Sequence, residues 1–376
     1  MKKLILICLL ILSGCQRDVF QELGYSFDES NSIRKLAEEN QVFFSEKCND
    51  FLKALIDDED FKEENIKGYL IYEEVFEPDK IIELVNNNTI SNKNYGNVKR
   101  IVETTDFKFE NLNKYLKSIS DFEYDASITV KACNDNLLSK KDIINKLQED
   151  LMFVENNLDL YLKHYDKKDN IRDLVEYVNS KRYLQYYEDQ QDADIEKYGY
   201  QVLVNKYYCL KEDYEPDDLV PVEAKYGVGE LRKEAYNAYK QMQDDANKEG
   251  YSFYITSPYR SFDTQSKLYN RYLQNDIQSN VDIYSARPGS SEHQLGLAVD
   301  ILKNGYDFGN FYSSPEAKWL AENAYKYGFI LRYPSSKIDI TGYKYEPWHF
   351  RYVGDIAKDV YDSGVTYDEY FEKYIK

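Results

Sequence analysis

Two histidines, an aspartate and a glutamate near the end of the chain have the types and spacing of a hydrolytic metal site. His293 and Asp300 are seven residues apart, and Gly296 lies between them where the backbone can turn. His349 follows in Glu346-Pro347-Trp348-His349. Two histidines and one carboxylate are a common ligand set for catalytic zinc, which keeps a further position for water. We therefore expect His293, Asp300 and His349 to bind a metal ion.

Four further residues suit amide hydrolysis at such a site. Glu346, three residues before His349, is placed to take a proton from water and return it to the leaving amine. The guanidinium of Arg260 offers a fixed fork of donors to a developing oxyanion or to a carboxylate. Gln265 and Ser291 are expected as hydrogen-bonding neighbours. The predicted chemistry is the hydrolysis of an amide bond.

Each of these signals is weak when it is taken alone. A His-x6-Asp or Glu-x-x-His spacing often arises by chance, and a loop arginine is usually solvated. The combination is stronger, because the chain has only three histidines and two of them fall in these segments. The third, His164, has the setting of a packing or surface residue, so it is not counted as a ligand.

The elements that must position these residues mix helices and strands without a regular alternation, which predicts an α+β domain. Apolar spacing and capping residues indicate helices at 231–248, at 264–274 and from Pro315 onward, where Ser314 is the expected cap. Strands are expected at 201–206, 253–256, 297–301, 329–332 and 350–353.

Four ordered motifs over residues 200–376 resemble the VanY-type D-alanyl-D-alanine carboxypeptidases, which share a zinc-peptidase fold with the hedgehog signalling domain. They are Ser257-x-Tyr259-Arg260-Ser261, Ser291-x-His293-x-x-Gly296-x-Ala298-x-Asp300, the run from Gly328 to Pro334, and the run from Tyr345 to Gly354. The agreement of four motifs in order makes the resemblance specific.

The resemblance implies a role for seven residues. It gives His293, Asp300 and His349 as Zn2+ ligands, Glu346 as catalytic base, Arg260 as the group that stabilises the transition state or anchors the substrate carboxylate, and Gln265 and Ser291 as substrate contacts. The implied substrate is the stem peptide of peptidoglycan, which would lose its terminal D-alanine.

Three alternative functions stay open at this point. An L,D-carboxypeptidase acting on tetrapeptide stems would carry the same motifs. An endopeptidase would cut within cross-links instead of at the peptide end. A non-catalytic cell-wall binding module is the third alternative, although the presence of Glu346 favours an enzyme.

The amino terminus is typical of an exported lipoprotein. A basic start is followed by an apolar run over residues 4–12 that is too short to span a bilayer, and then by Leu12-Ser13-Gly14-Cys15, which resembles a lipobox. We expect residues 1–14 to be a signal peptide and acyl chains on Cys15 to hold the protein at the outer face of the cell membrane. The alternative is an ordinary signal peptide cut nearby.

Charge and cysteine content exclude other classes. The formal net charge of −19 argues against nucleic-acid partners, which need a basic patch, and against electrostatic adhesion to anionic lipid. The cysteines beyond Cys15 have no C-x-x-C spacing, so we expect packing residues and neither a thiolate metal site nor a disulfide framework.

Residues 15–199 form a predicted amino-terminal region that repeats itself. Phe61, Phe107 and Phe153 begin similar segments 46 residues apart, in units near 61–86, 107–134 and 153–179. Such periodicity indicates stacked units, each a short helix followed by a strand or a second helix. We interpret the region as α/β-containing and as a spacer, a wall-binding module or a partner surface.

Overall fold

The structure, a computed structural model, describes residue 31 and residues 49–119, 125–167 and 170–376. The predicted signal peptide, the lipobox and Cys15 lie outside the described residues. The chain divides into two compact units, Met1–Asn145 and Lys146–Lys376.

The described part of the first unit is helical. Its helices are Asn49–Ile56, Ile66–Leu70, Pro78–Asn86, Tyr95–Val102, Leu112–Ser118 and Ala126–Asn134, and Lys141–Gln148 lies at the boundary with the second unit. The apolar faces of the first six form one core, in which Cys133 is fully buried as a packing residue. No strand occurs between residues 49 and 190 in the described part, so the expectation of an α/β-containing region is wrong there. The second half of each predicted repeat is a helix, because apolar residues fall on one helical face.

The same hydrogen-bond pattern joins the two halves of each of the three predicted repeats. In the third, the Asn179 side-chain oxygen accepts from the Tyr161 hydroxyl at 2.6 Å and from Asn157 at 3.2 Å, while its amide donates to the Met152 carbonyl at 2.7 Å. The equivalent sets are Asn86 with Tyr69, Asn65 and Asp60, and Asn134 with Tyr115, Asn111 and Asp106. The recurring Tyr and Asn residues therefore connect the two helices of each repeat.

Replacing Asn179 with alanine should lower the free energy of unfolding by about 1–3 kcal/mol, because buried partners lose a hydrogen bond that water cannot replace. Urea unfolding of the full chain measures the change. The control is Asn156→Ala, because Asn156 is exposed in the same repeat. This substitution should change the free energy of unfolding by less than about 0.5 kcal/mol. Equal effects of the two substitutions would contradict the role of the network.

The second unit contains the sheet that organises the rest of the chain. Its strands are β1 Gln191–Asp192, β2 Tyr208–Cys209, β3 Leu219–Pro221, β4 Glu230–Arg232, β5 Tyr254–Ser257, β6 Ala298–Leu302, β7 Phe329–Leu331 and β8 His349–Tyr352. β5, β6, β8 and β7 form, in that order, a four-stranded antiparallel sheet. β1 pairs with β2 in parallel, and β3 pairs with β4 in an antiparallel hairpin.

The described part of this unit also contains helices, several of which pack against its strands. They are Leu158–His164, Ile171–Asn179, Ile195–Tyr198, Lys233–Lys248, Phe262–Leu273, Gln278–Tyr284, Pro315–Asn323, Ile338–Thr341, Ala357–Ser363 and Tyr367–Tyr370, and a π-helical turn follows at Phe371–Ile375. The predicted α+β class is confirmed. Lys233–Lys248 buries its predicted stripe against the sheet, and the Ser314 hydroxyl caps Pro315–Asn323 by accepting from the Ala317 N–H.

One predicted strand is wrong. Residues 201–206 follow a 3-10 turn at Gly199–Gln201 and form no ladder, and the strand is Tyr208–Cys209. The Asn205 side-chain oxygen accepts from the backbone N–H groups of Tyr207 and Tyr208, which gives the segment a side-chain turn in place of strand pairing.

The third predicted repeat belongs to the same compact unit as the sheet. Arg172 lies 3.8 Å from the Glu369 carboxylate, Lys181 lies 3.3 Å from that of Glu372, and the Lys373 ammonium donates to the Phe153 carbonyl. The predicted domain boundary at 199/200 stays a prediction. No helix in the described part of the chain is long and apolar enough to cross a membrane.

Candidate active site

Neighbouring strands bring the predicted metal ligands together. Asp300 on β6 is the direct cross-strand partner of His349 on β8. His293 lies in the 3-10 turn Glu292–Leu295, just before β6. Gly296 ends that turn with φ +66°, and a Cβ there would lie 2.9 Å from the Leu219 side chain. The turn therefore needs glycine at this position to return His293 to the sheet.

The three side chains form one buried cluster. One ligand atom from each of His293, Asp300 and His349 lies within 4.8 Å of the other two. His293 Nε2 is 3.4 Å from one Asp300 oxygen, and His349 Nδ1 is 3.1 Å from the other. The carboxylate thus lies between the two imidazoles, as in a three-ligand site.

The His293 ring fits a cation. Its Nδ1 is 2.7 Å from the Pro258 carbonyl oxygen, to which it donates as N–H, so the lone pair is on Nε2. That Nε2 is buried and has no hydrogen-bond partner. Burial and the neighbouring Arg260 lower the pKa of His293 to about 4, which keeps the ring neutral. An unpartnered nitrogen beside a carboxylate and a second imidazole matches the ligand chemistry of Zn2+.

The His349 ring is held from its far side by Glu292. Its Nε2 lies 3.4 Å from the Glu292 carboxylate, which leaves Nδ1 facing Asp300. Burial acts to lower the pKa of His349, but the hydrogen bonds to Asp300 and Glu292 outweigh it and raise the pKa to about 9. Such a carboxylate behind an imidazole fixes which nitrogen is free for a metal.

Glu292 is itself fixed by two buried arginines. Its other oxygen accepts from Arg332 Nε at 2.8 Å and from an Arg351 terminal nitrogen at 2.9 Å, and all three side chains are fully buried. Arg332 also donates to Asp368 at 2.6 Å. Burial acts to raise the pKa of Glu292, yet the two guanidinium groups outweigh it and hold the pKa well below its ordinary value. Glu292 therefore stays ionised behind His349.

Glu346 lies beside the cluster without being one of its three members. Its carboxylate is 3.8 Å from His349 Nδ1, and its backbone N–H donates to the Tyr333 carbonyl at 3.1 Å. Burial raises the pKa of Glu346 to about 7. A carboxyl group with a pKa near neutrality exchanges protons readily in both directions.

Arg260 and Ser291 also face the cluster. Arg260 donates to the Ser257 hydroxyl at 2.8 Å, lies 3.7 Å from an Asp300 oxygen, and has a buried Nε without a partner. Ser291 is buried in the same wall. Gln265 is not brought to this wall: it is buried in the helix Phe262–Leu273, and its amide donates to the Ala286 carbonyl at 2.7 Å. Its predicted role as a substrate contact stays a prediction.

A cavity of about 670 Å³ opens over the cluster. The Trp348 ring, 5.0 Å from that of Phe308, forms one side, and Tyr333 packs against the His349 ring with centroids 4.9 Å apart. Its volume is in the range of small-molecule and peptide-end sites. His164 packs against the rings of Tyr177 and Tyr183 and is not in the cluster.

No role was predicted for Glu292, Arg332 and Arg351. The sequence does place an acid directly before a candidate ligand and arginines in two later strand segments. These positions were the only signal from which the contact could have been predicted. β7 and β8 are adjacent, and the Ile330–Arg351 register places both arginines near the Glu292 turn. Only the pairing of distant segments reveals the contact.

Comparison with known proteins identifies the family of this domain. The D-alanyl-D-alanine carboxypeptidase (VanY) family model matches residues 229–355. The bifunctional D-Ala-D-Ala dipeptidase and D-Ala-D-Ala carboxypeptidase of Enterococcus gallinarum is 36% identical over 157 residues, which cover 40% of this chain and 82% of that protein. The chain belongs to the D-alanyl-D-alanine carboxypeptidase family.

Two further proteins are also similar to this chain. The Bacillus subtilis (strain 168) protein YodJ is 46% identical over 181 residues, or 46% of this chain. The solved structure of the LdcB LD-carboxypeptidase is 42% identical and covers 50% of this chain and 93% of that one, with a TM-score of 0.46. The chain spans 66%, 52% and 62% of the length of three curated relatives that it matches.

Proposed function

We propose that this protein is a zinc-dependent D-alanyl-D-alanine carboxypeptidase that removes the terminal D-alanine from peptidoglycan stem peptides. One observation carries the proposal: His293, Asp300 and His349 lie within 4.8 Å of one another, and Glu346 lies beside them. The membership of the family supports the substrate class.

The residues around the cluster divide the chemistry among them. Zinc held by His293, Asp300 and His349 would supply Lewis acidity towards the scissile carbonyl and acidify the attacking water. Glu346 accepts the proton of that water and delivers it to the leaving amine, for which a pKa near 7 suits both steps. Arg260, whose buried Nε has no partner, offers its donors to the oxyanion or to the terminal carboxylate of the peptide.

The proposed location is the outer face of the cell membrane. The lipobox-like Leu12-Ser13-Gly14-Cys15 supports lipidation of Cys15 after export. A protein anchored there meets the stem peptides of the cell wall directly. Mass measurement of the amino-terminal peptide from the membrane fraction tests this, and an unmodified Cys15 would refute it.

The activity is tested with two stem peptides. We expect the full chain loaded with zinc to remove one alanine from a pentapeptide ending in D-Ala-D-Ala, detected by mass spectrometry, and a chelator to prevent the reaction. Loss of alanine from the tetrapeptide but not the pentapeptide would instead establish the L,D-carboxypeptidase alternative. Cleavage only of cross-linked dimers would indicate an endopeptidase.

A further inference from the structure

The mouth of the active-site cavity carries a charge opposite to that of the whole chain. The chain has a formal net charge of −19, yet Lys267, Arg271 and Lys344 all line this cavity beyond the metal cluster. The acids among the described lining residues are Glu292, Asp300 and Glu346, and all three are buried at the cluster. Outside the cluster, the charged side chains of the cavity wall are therefore cationic.

One helix presents two of these cations along the length of the cavity. Its lining residues follow a helical stripe: Thr264, Lys267, Leu268, Arg271 and Tyr272. The helix, Phe262–Leu273, begins two residues after Arg260, and both of its lining cations are exposed. From Thr264 to Arg271 it rises about 10 Å, which corresponds to roughly three residues of an extended peptide.

Lys344 supplies the third cation from another part of the wall. Its ammonium lies 4.9 Å from the centre of the Tyr284 ring, and that ring packs edge-on against Tyr272 at 5.4 Å. Lys267, Arg271 and Lys344 form no salt bridge with any acid in the described part of the chain. The charge of Lys344 also acts on the nearby Glu346 carboxyl group, but all three cations are exposed and can contact a ligand.

We infer that the cavity selects an acidic peptide, one that carries a free carboxylate about two to four residues before the scissile bond. The inference rests on the proposed function and specifies its substrate: Arg260 lies at the cluster, where the peptide ends, and the cations at the mouth attract a carboxylate further back. A stem peptide with a free glutamate α-carboxyl group has this chemistry, and its amidated form lacks it.

The test compares two pentapeptides that differ only in whether the glutamate α-carboxyl group is free or amidated. The full zinc-loaded chain should hydrolyse the acidic peptide with a kcat/KM about fivefold higher, and added salt should reduce the ratio. The double variant Lys267→Gln/Arg271→Gln should lower kcat/KM for the acidic peptide about fivefold and for the amidated peptide less than about twofold, so that most of the preference is lost. The control Lys248→Gln/Lys318→Gln removes two exposed charges that do not line the cavity, and it should keep the preference.

The outcomes separate this inference from the proposed function. Equal hydrolysis of both peptides by the native protein overturns the inference and leaves the proposed carboxypeptidase intact. If neither peptide is cleaved, the proposed function fails. The inference is then tested by calorimetry, which measures the affinity of the Glu346→Gln protein for the same two peptides. Equal affinity of the Glu346→Gln protein for the two peptides would overturn the inference. An unchanged preference for the acidic peptide in the Lys267→Gln/Arg271→Gln variant would also overturn it.

Discussion

The Glu346→Gln variant should bind zinc normally and lose hydrolysis of the pentapeptide, with kcat/KM lower by about 10²–10⁴-fold. The amide has the shape of the carboxyl group but cannot accept the proton of the attacking water. The metal should remain, because Glu346 lies beside the cluster of His293, Asp300 and His349 and is not one of its members. Metal analysis and kinetics on the same preparation measure both quantities.

The zinc content of the variant is the internal control for this result. A variant that keeps one zinc per chain and full activity would remove Glu346 from its role as base. A variant that loses zinc together with activity would instead make Glu346 part of the metal site. Only normal zinc content with lost activity agrees with the proposed mechanism.

The Glu292→Gln variant should lower zinc affinity by about 10–100-fold, because the carboxylate that orients His349 is gone. It should also lower the free energy of unfolding by about 3–5 kcal/mol, since Arg332 and Arg351 lose a fully buried ion partner. Competition with a zinc-binding dye measures the affinity, and urea unfolding of the metal-free protein measures the stability.

Glu316→Gln provides the matched control. Glu316 is another buried acid in the same unit, and both of its oxygens accept from the Lys303 ammonium, at 2.7 and 2.8 Å. This substitution should cost stability without changing zinc affinity. If Glu292→Gln and Glu316→Gln lower zinc affinity equally, the effect comes from general destabilisation and not from the orientation of His349.

Local sequence patterns predicted many of the helices and strands of the second unit. The apolar stripe of Lys233–Lys248, the Ser314 cap and the β-like run before Asp300 depend on residues within a few positions of each other. The cluster of His293, Asp300 and His349 was also predicted, because histidine is rare in this chain and the motifs that hold these residues occur together and in order.

What the sequence could not give depends on contacts between distant segments. The separation along the chain from Glu292 is 40 residues to Arg332 and 59 residues to Arg351, and neither spacing has a local signature. Residues 201–206 have strand character by composition, but strand formation also needs a partner strand, and the Asn205 side chain forms a turn there instead. The burial of Gln265 likewise depends on its contact with Ala286, which is distant in the sequence, and not on the residues adjacent to it in the chain.

The contacts of the last helical turns with the third predicted repeat have a consequence for how relatives of this chain can differ. The family match ends at residue 355, and the pairs Arg172–Glu369 and Lys181–Glu372 join residues on opposite sides of the matched segment. The two flanks thus form one accessory layer although they are far apart in the sequence. We expect relatives to gain or lose these flanks together, since loss of the carboxy-terminal flank would leave the largely buried Lys181 without the carboxylate of Glu372.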